Sequence, residues 1–226
     1  AALNRMDDGV QQLIKRLERA RPGLKQALWV IVGDHGEGLS HPEHHGTSHG
    51  TTLYPSVTHV PMGIWGPGIP KGQVNGLSAQ IDLVPTILGL LDLAPNGELP
   101  GQDMSKLVRA GGGASTRDVV YTSTWFRWSQ RAARFQGQQM CQIDFNKQGT
   151  RRQLSRAKPG SGLFAFPDGC FDLKTDPQQR TPLLDSTAEA DLKAWFRRQS
   201  EANTAWGQPK AVHVPDGIDA QLKALG

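Results

Sequence analysis

The pattern of apolar and polar positions divides the chain into short, distinct elements. Leu3, Met6, Val10, Leu13, Ile14 and Leu17 recur at spacings of three and four, while Lys15, Arg16, Glu18 and Arg19 fill the opposite face. That period predicts an amphipathic helix over 3–21, stopped by Pro22-Gly23. Residues 27–33 are continuously apolar, the pattern of a strand buried on both faces as in a parallel sheet. A helix followed by such a strand predicts an α/β layer. A polar loop rich in His and Gly spans 34–56. Residues 58–66 read as a second short strand, with Pro61 placing it at an edge. Ile81, Val84, Ile87, Leu88 and Leu91 share one face of a helix over 81–92.

The texture then changes. Residues 93–117 are rich in Gly, Pro and Ala and include Gly111-Gly112-Gly113, which predicts a boundary or linker. Beyond it, 118–145 carry β-rich stretches, and 162–173 read as a hairpin around Pro167-Asp168-Gly169. Ser186 with Glu189 predicts a capping box opening a helix over 187–203. The expected division is residues 1–113, part of a larger α/β domain, and residues 114–226, a small α+β subdomain with a polar tail.

Composition refines this picture in two places. Six of the seven histidines lie between His35 and His59, which marks the front half for metal or catalytic chemistry. The net charge of +4 is uneven, with the excess of Lys and Arg in the back half. The stretch from Arg127 to Lys158 holds eight Lys and Arg against the single acid Asp144. It reads as a solvated face rather than an anion-attracting one, and no nucleic-acid motif accompanies it. No apolar run approaches the roughly 20 residues that span a bilayer. Cys141 and Cys170 form no CxxC, which excludes a zinc ribbon; one disulfide or two buried thiols both satisfy the count.

The chemistry concentrates after the first strand. Asp34-His35-Gly36 would emerge at a strand's carboxyl end, where open α/β sheets bind ligands. A carboxylate and an imidazole suit a divalent cation, and Gly36 permits a sharp turn. Glu43-His44-His45-Gly46, His49-Gly50-Thr51-Thr52-Leu53-Tyr54 and His59-Val60-Pro61-Met62 follow. Further along stand Ile64-Trp65-Gly66-Pro67-Gly68, Gln80-Ile81-Asp82-Leu83-Val84-Pro85-Thr86, and Phe171-Asp172-Leu173-Lys174-Thr175-Asp176-Pro177. In this order and spacing, residues 1 to about 205 resemble the sulfatase family of the alkaline phosphatase superfamily.

The resemblance implies the C-terminal part of an alkaline-phosphatase-like α/β sandwich domain, followed by a small antiparallel-sheet-and-helix subdomain. It implies that Asp34 and His35 hold one divalent metal, Ca²⁺ first, with Mn²⁺ or Zn²⁺ as alternatives. His49, together with His44 or His45, would be catalytic at the ester, and Glu43 would orient a histidine. His59 reads as structural, His41 as loop surface and His213 as tail. The family's nucleophile motif, Cys or Ser in Cys/Ser-x-Pro-x-Arg, is expected upstream: neither Cys141 nor Cys170 fits it. The resemblance therefore implies a hydrolase of sulfate esters, on small-molecule or carbohydrate substrates, completed by an N-terminal part and inactive without it. Phosphoester or phosphonate hydrolysis, phosphoryl transfer and a noncatalytic binding fragment are the alternatives. A periplasmic or extracellular location is expected by family likeness.

Overall fold

In the computed structural model, residues 2–39, 49–126, 129–148 and 168–205 are described. The front half opens with helix α1 (Ala2–Ala20), a 3₁₀ turn (Pro22–Gln26) and strand β1 (Trp29–Val32). A helical turn α2 (Pro55–Thr58) leads to β2 (Met62–Trp65), then β3 (Gln73–Asn75). A 3₁₀ turn (Gln80–Asp82) continues into α3 (Leu83–Leu90), followed by α4 (Ser105–Arg109) and β4 (Gly112–Ala114). The back half comprises β5 (Val120–Phe126), β6 (Ser129–Gln136), β7 (Gln139–Asp144), β8 (Gly169–Asp172) and helix α5 (Ser186–Ala205).

Strand β1 differs from expectation in its pairing. Among the described residues its neighbour is β2, antiparallel, with Trp29 opposite Trp65 and Val32 opposite Met62. The expected cover on both faces is also lacking: Ile31 is 48% exposed and Val32 36%. A continuous apolar run is the signature of a strand inside a wider sheet, and among the described residues one neighbour, β2, lies beside it.

The glycine-rich stretch is not a plain linker. It contains α4 and β4, and β4 pairs in parallel with β3. The glycines explain themselves by proximity. At Gly112 (φ 122°) a Cβ would sit 2.3 Å from the carbonyl oxygen of Gln73, so a side chain would push the strands apart. Asp82, almost fully buried, ties this region to the back half. Its carboxylate accepts from the Ala79 and Gln102 amides and from the Arg117 guanidinium.

Strands β5 to β8 form an antiparallel sheet in sequence order. Because side chains alternate, the sheet has two working faces. Ala132, Cys141, Ile143 and Cys170 pack under Ala188, Leu192 and Phe196 of α5. Ala133 and Met140 face the other way, against Leu53 of the front half. Cys141 and Cys170 stand opposite each other in the β7–β8 register and are joined by a disulfide. This settles the cysteine count in favour of the bond. Helix α5 starts as expected but on a different cap: the Asp185 carboxylate accepts from the Ala188 amide at 2.9 Å. Aspartate one residue before Ser186 thus satisfies an amide that the first turn leaves without a partner. Of the hairpin expected over 162–173, β8 lies within the described residues and 162–167 outside them.

Candidate functional site

Strand β1 delivers Gly33 and Asp34 to its carboxyl end. Two contacts hold the exit. The Gly33 amide donates to Pro61 O at 3.0 Å, and the Gln80 side-chain amide donates to Gly33 O at 2.6 Å and Asp34 O at 3.1 Å. The chain then turns tightly under α2. The Gly36 amide donates to Val57 O at 2.7 Å, and a Cβ on Gly36 would lie 2.0 Å from Ser56 O. Only glycine fits this approach.

The turn leaves the Asp34 side chain 88% exposed. Its carboxylate accepts the His35 amide at 2.9 Å. That bond, with the nearby His35 ring, holds the Asp34 carboxyl below the usual carboxylate range. His35 Nδ1 lies 2.8 Å from Gly36 O. A carbonyl oxygen only accepts, so Nδ1 carries a proton, and in the neutral ring Nε2 holds the lone pair. That Nε2 is 3.6 Å from Asp34 Oδ2. Two acceptor atoms therefore face each other across a gap of the width that a shared divalent cation spans, with the second ring nitrogen fixing the tautomer. The donor set fits one side of a cation site. Among the described residues no group of three or more His, Cys, Asp or Glu side chains completes it.

His49 lies beside this pair. Its ring stacks on that of His35 with centroids 3.8 Å apart and planes 23° from parallel. Its Nδ1 is 2.9 Å from Glu37 Oε2. The His49 ring, followed by the Gly38 amide, holds the Glu37 carboxyl below its ordinary range. Glu37 is thus an ionised acceptor that fixes a proton on His49 Nδ1. Sequence reasoning gave Glu37 and Gln80 no role; the signal for Glu37 was its place in the same polar loop as the two rings.

The loop after His49 is buried rather than exposed. Thr52, Leu53 and Tyr54 are each at most 6% accessible. Leu53 packs on Ala133 and Met140, and Gly50 O accepts from the Thr124 hydroxyl. The Tyr54 hydroxyl hydrogen-bonds Gln142, and burial pushes it up to about 12. Asp34, His35 and His49 share a cleft of about 1500 Å³ with Arg117, Thr124 and Gln136. Of the expected site residues, the structure brings Asp34, His35 and His49 together. His44 and His45, with Glu43, lie outside the described residues. His59 also borders the cleft but makes no contact with the histidine pair in the interactions above.

An α/β front half ending in an Asp-His turn, with a small antiparallel sheet and helix behind it, is an alkaline-phosphatase-like fold. Residues 1–93 match the sulfatase family model. It is 32% identical over 100 residues to the uncharacterized sulfatase YidJ of Escherichia coli K12, a match covering 44% of this chain and 19% of that protein. It is 28% identical over 183 residues to bovine arylsulfatase A, covering 76% of this chain and 36% of the relative. The fold superposes on a protein solved in complex with its substrate D-glucosamine-2-N,6-O-disulfate, with a TM-score of 0.63 and 14% identity, covering 91% of this chain and 40% of the other. The chain thus spans about a third or less of these curated relatives.

Proposed function

We propose that this chain is the C-terminal portion of a metal-dependent sulfatase-like hydrolase. The observation that carries the reading is the convergence of Asp34 and His35 Nε2 beside the stacked His49, on a segment of the sulfatase family. Asp34 and His35 would hold one side of a divalent cation site, Ca²⁺ being the first candidate. When bound, such an ion supplies Lewis-acid stabilisation of charge on ester oxygens. The remaining ligands and the nucleophile belong to the upstream portion of the protein.

His49 acts on the leaving group. Glu37 anchors Nδ1, so Nε2 is the atom that delivers a proton to the departing oxygen. Asp34 and His35, which would hold the cation, lie beside His49. The substrate proposed is a sulfated small molecule or carbohydrate. The disulfide supports folding in an oxidising compartment, in line with a periplasmic or extracellular location. Among the described residues no helix is long and apolar enough to cross a membrane.

The test uses the complete protein and two substrates, nitrophenyl sulfate and a sugar sulfate. Asp34→Ala abolishes turnover of both. His49→Ala lowers kcat for the sugar sulfate by about 10²–10⁴-fold and for nitrophenyl sulfate by less, since nitrophenolate leaves without a proton. Equal losses on both substrates would remove the general-acid role. Near-wild-type rates for Asp34→Ala, or preferred turnover of nitrophenyl phosphate, would sink the sulfatase reading.

A further inference from the structure

The two histidines sit on the front half, yet the loop between them and β2 is seated on the back half. Three contacts make that seat, all on one face of the antiparallel sheet. The Thr124 hydroxyl of β5 donates to Gly50 O, one residue from His49. Leu53 fills an apolar patch made by Ala133 of β6 and Met140 of β7. Gln142 of β7 hydrogen-bonds the buried Tyr54 hydroxyl. The register places Thr124 opposite Arg131, and Arg131 opposite Asp144, so these side chains form one row across the sheet. Arg131 and Asp144 are themselves paired at 3.1 Å and almost fully buried. The seat is therefore rigid.

From the seat the chain returns directly to the Asp-His turn. The Val57 and Thr58 amides donate to Tyr54 O, starting α2, and α2 receives the Gly36 amide on Val57 O. Gly36 O in turn fixes the His35 ring. His49 hangs from the sheet at Gly50, and His35 is braced from the sheet through Tyr54, Val57 and Gly36.

We propose that the face of the back-half sheet bearing Thr124 and Gln142 is the positioning platform of the histidine pair, with Thr124 the positioning residue for His49. This rests on the catalytic reading of His49 only for its consequence in turnover, not for its geometry. Thr124 touches no reacting atom. It acts by fixing the Gly50 carbonyl, and a ring displaced by about 1 Å loses up to about 10²-fold in rate.

Two experiments separate the platform from the catalytic reading. In this chain, heteronuclear NMR follows the His49 ring signals, assigned by their loss in His49→Ala. Thr124→Val, which keeps the shape and removes the hydroxyl, shifts and broadens them; Thr124→Ser restores them. Unmoved His49 signals in Thr124→Val, or equal changes in both variants, would overturn the platform. If Thr124→Val does not fold, Tyr54→Phe takes its place: it removes the hydroxyl bonded to Gln142 and must move the His35 and His49 signals, and unmoved signals overturn the proposal equally. In the complete enzyme, Thr124→Val lowers kcat about tenfold or more with KM little changed, and Thr124→Ser recovers it. If the ring signals move but His49→Ala retains full activity, the catalytic reading fails and the platform stands.

Discussion

The sheet of the back half and the ribbon of the front half are both made of apolar strands, but only one of them is covered. In the back half, Ala132, Ala133, Met140, Cys141, Cys170, Phe171 and Leu192 are wholly buried between α5 and the His49 loop. In the front half, β1 and β2 leave Ile31, Val32, Met62 and Trp65 a third to a half exposed. Helix α1 likewise exposes Met6 and Leu13. The half that carries the expected site residues is thus the half with unfilled faces, and the half that carries none of the expected ligands has the finished core. The packed core and the expected site residues are divided between the two, and the loop from Gly50 to Tyr54 joins them.

The first way to break this comparison is to truncate one side chain in each half. Leu192→Ala removes a fully buried side chain that packs under the sheet, and unfolding by urea should show a loss of about 2–5 kcal/mol. Ile31→Ala, at a position 48% exposed, should cost about 1 kcal/mol or less. Equal losses would mean that the ribbon is packed as tightly as the sheet, and the division would fall. Repeating the pair in the complete protein sharpens the point. If the upstream portion covers the ribbon, the cost of Ile31→Ala rises while that of Leu192→Ala stays unchanged.

A second measurement probes what closes the finished core. The disulfide joins positions 29 residues apart in sequence, and chain entropy gives such a link about 3.5 kcal/mol. The double variant Cys141→Ala/Cys170→Ala should lose roughly that amount in urea unfolding. Both sulfurs lie on the α5 side of the sheet, whereas the His49 loop lies on the other. The His49 ring signals should therefore survive under native conditions. Their loss together with stability would show that the two faces are not independent.

The same division explains what the sequence revealed. The amphipathic period of α1, the apolar run of β1 and the β-rich composition of 118–145 are local signals, and α1, β1 and β5 to β7 formed there. The partner of β1 was not legible, because a continuous apolar strand states that it is buried without stating beside what. The glycines at 111–113 looked like a linker because their reason, the close approach of β4 to β3, is a contact 39 residues away in the chain (Gln73 to Gly112). The sequence pointed to Asp34 and His35 through their residue chemistry and to His49 through the family resemblance, and the fold brings the three together. Glu37 was not, since an exposed loop carboxylate gains meaning only when a ring nitrogen is found 2.9 Å away. Thr124 and Gln142 were beyond sequence reasoning altogether: they act across the fold on a backbone carbonyl and a buried hydroxyl.

The smallest effect lies at the start of α5. Asp185 accepts the Ala188 amide and the Gln139 side-chain amide, and these bonds hold its carboxyl below the ordinary range. The amide is presented in this way only when the helix is formed. A carboxyl lowered by folding adds stability that is complete above its unfolded value near 3.8 and vanishes as pH falls through its lower folded value. Asp185→Asn keeps a capping oxygen but removes the titration. The variant's melting temperature should fall less steeply below about pH 4 than that of the wild type, while near neutrality it should lie only a few degrees lower. Asp191 and Asp172, also lowered, continue to titrate in both proteins and set the common slope. An unchanged acid limb would place the cap outside the folding equilibrium of the sheet. It would mean that α5 frays at Asp185 without loosening Leu192, four residues beyond Ala188, and that the finished core is confined to the sheet and the middle of the helix.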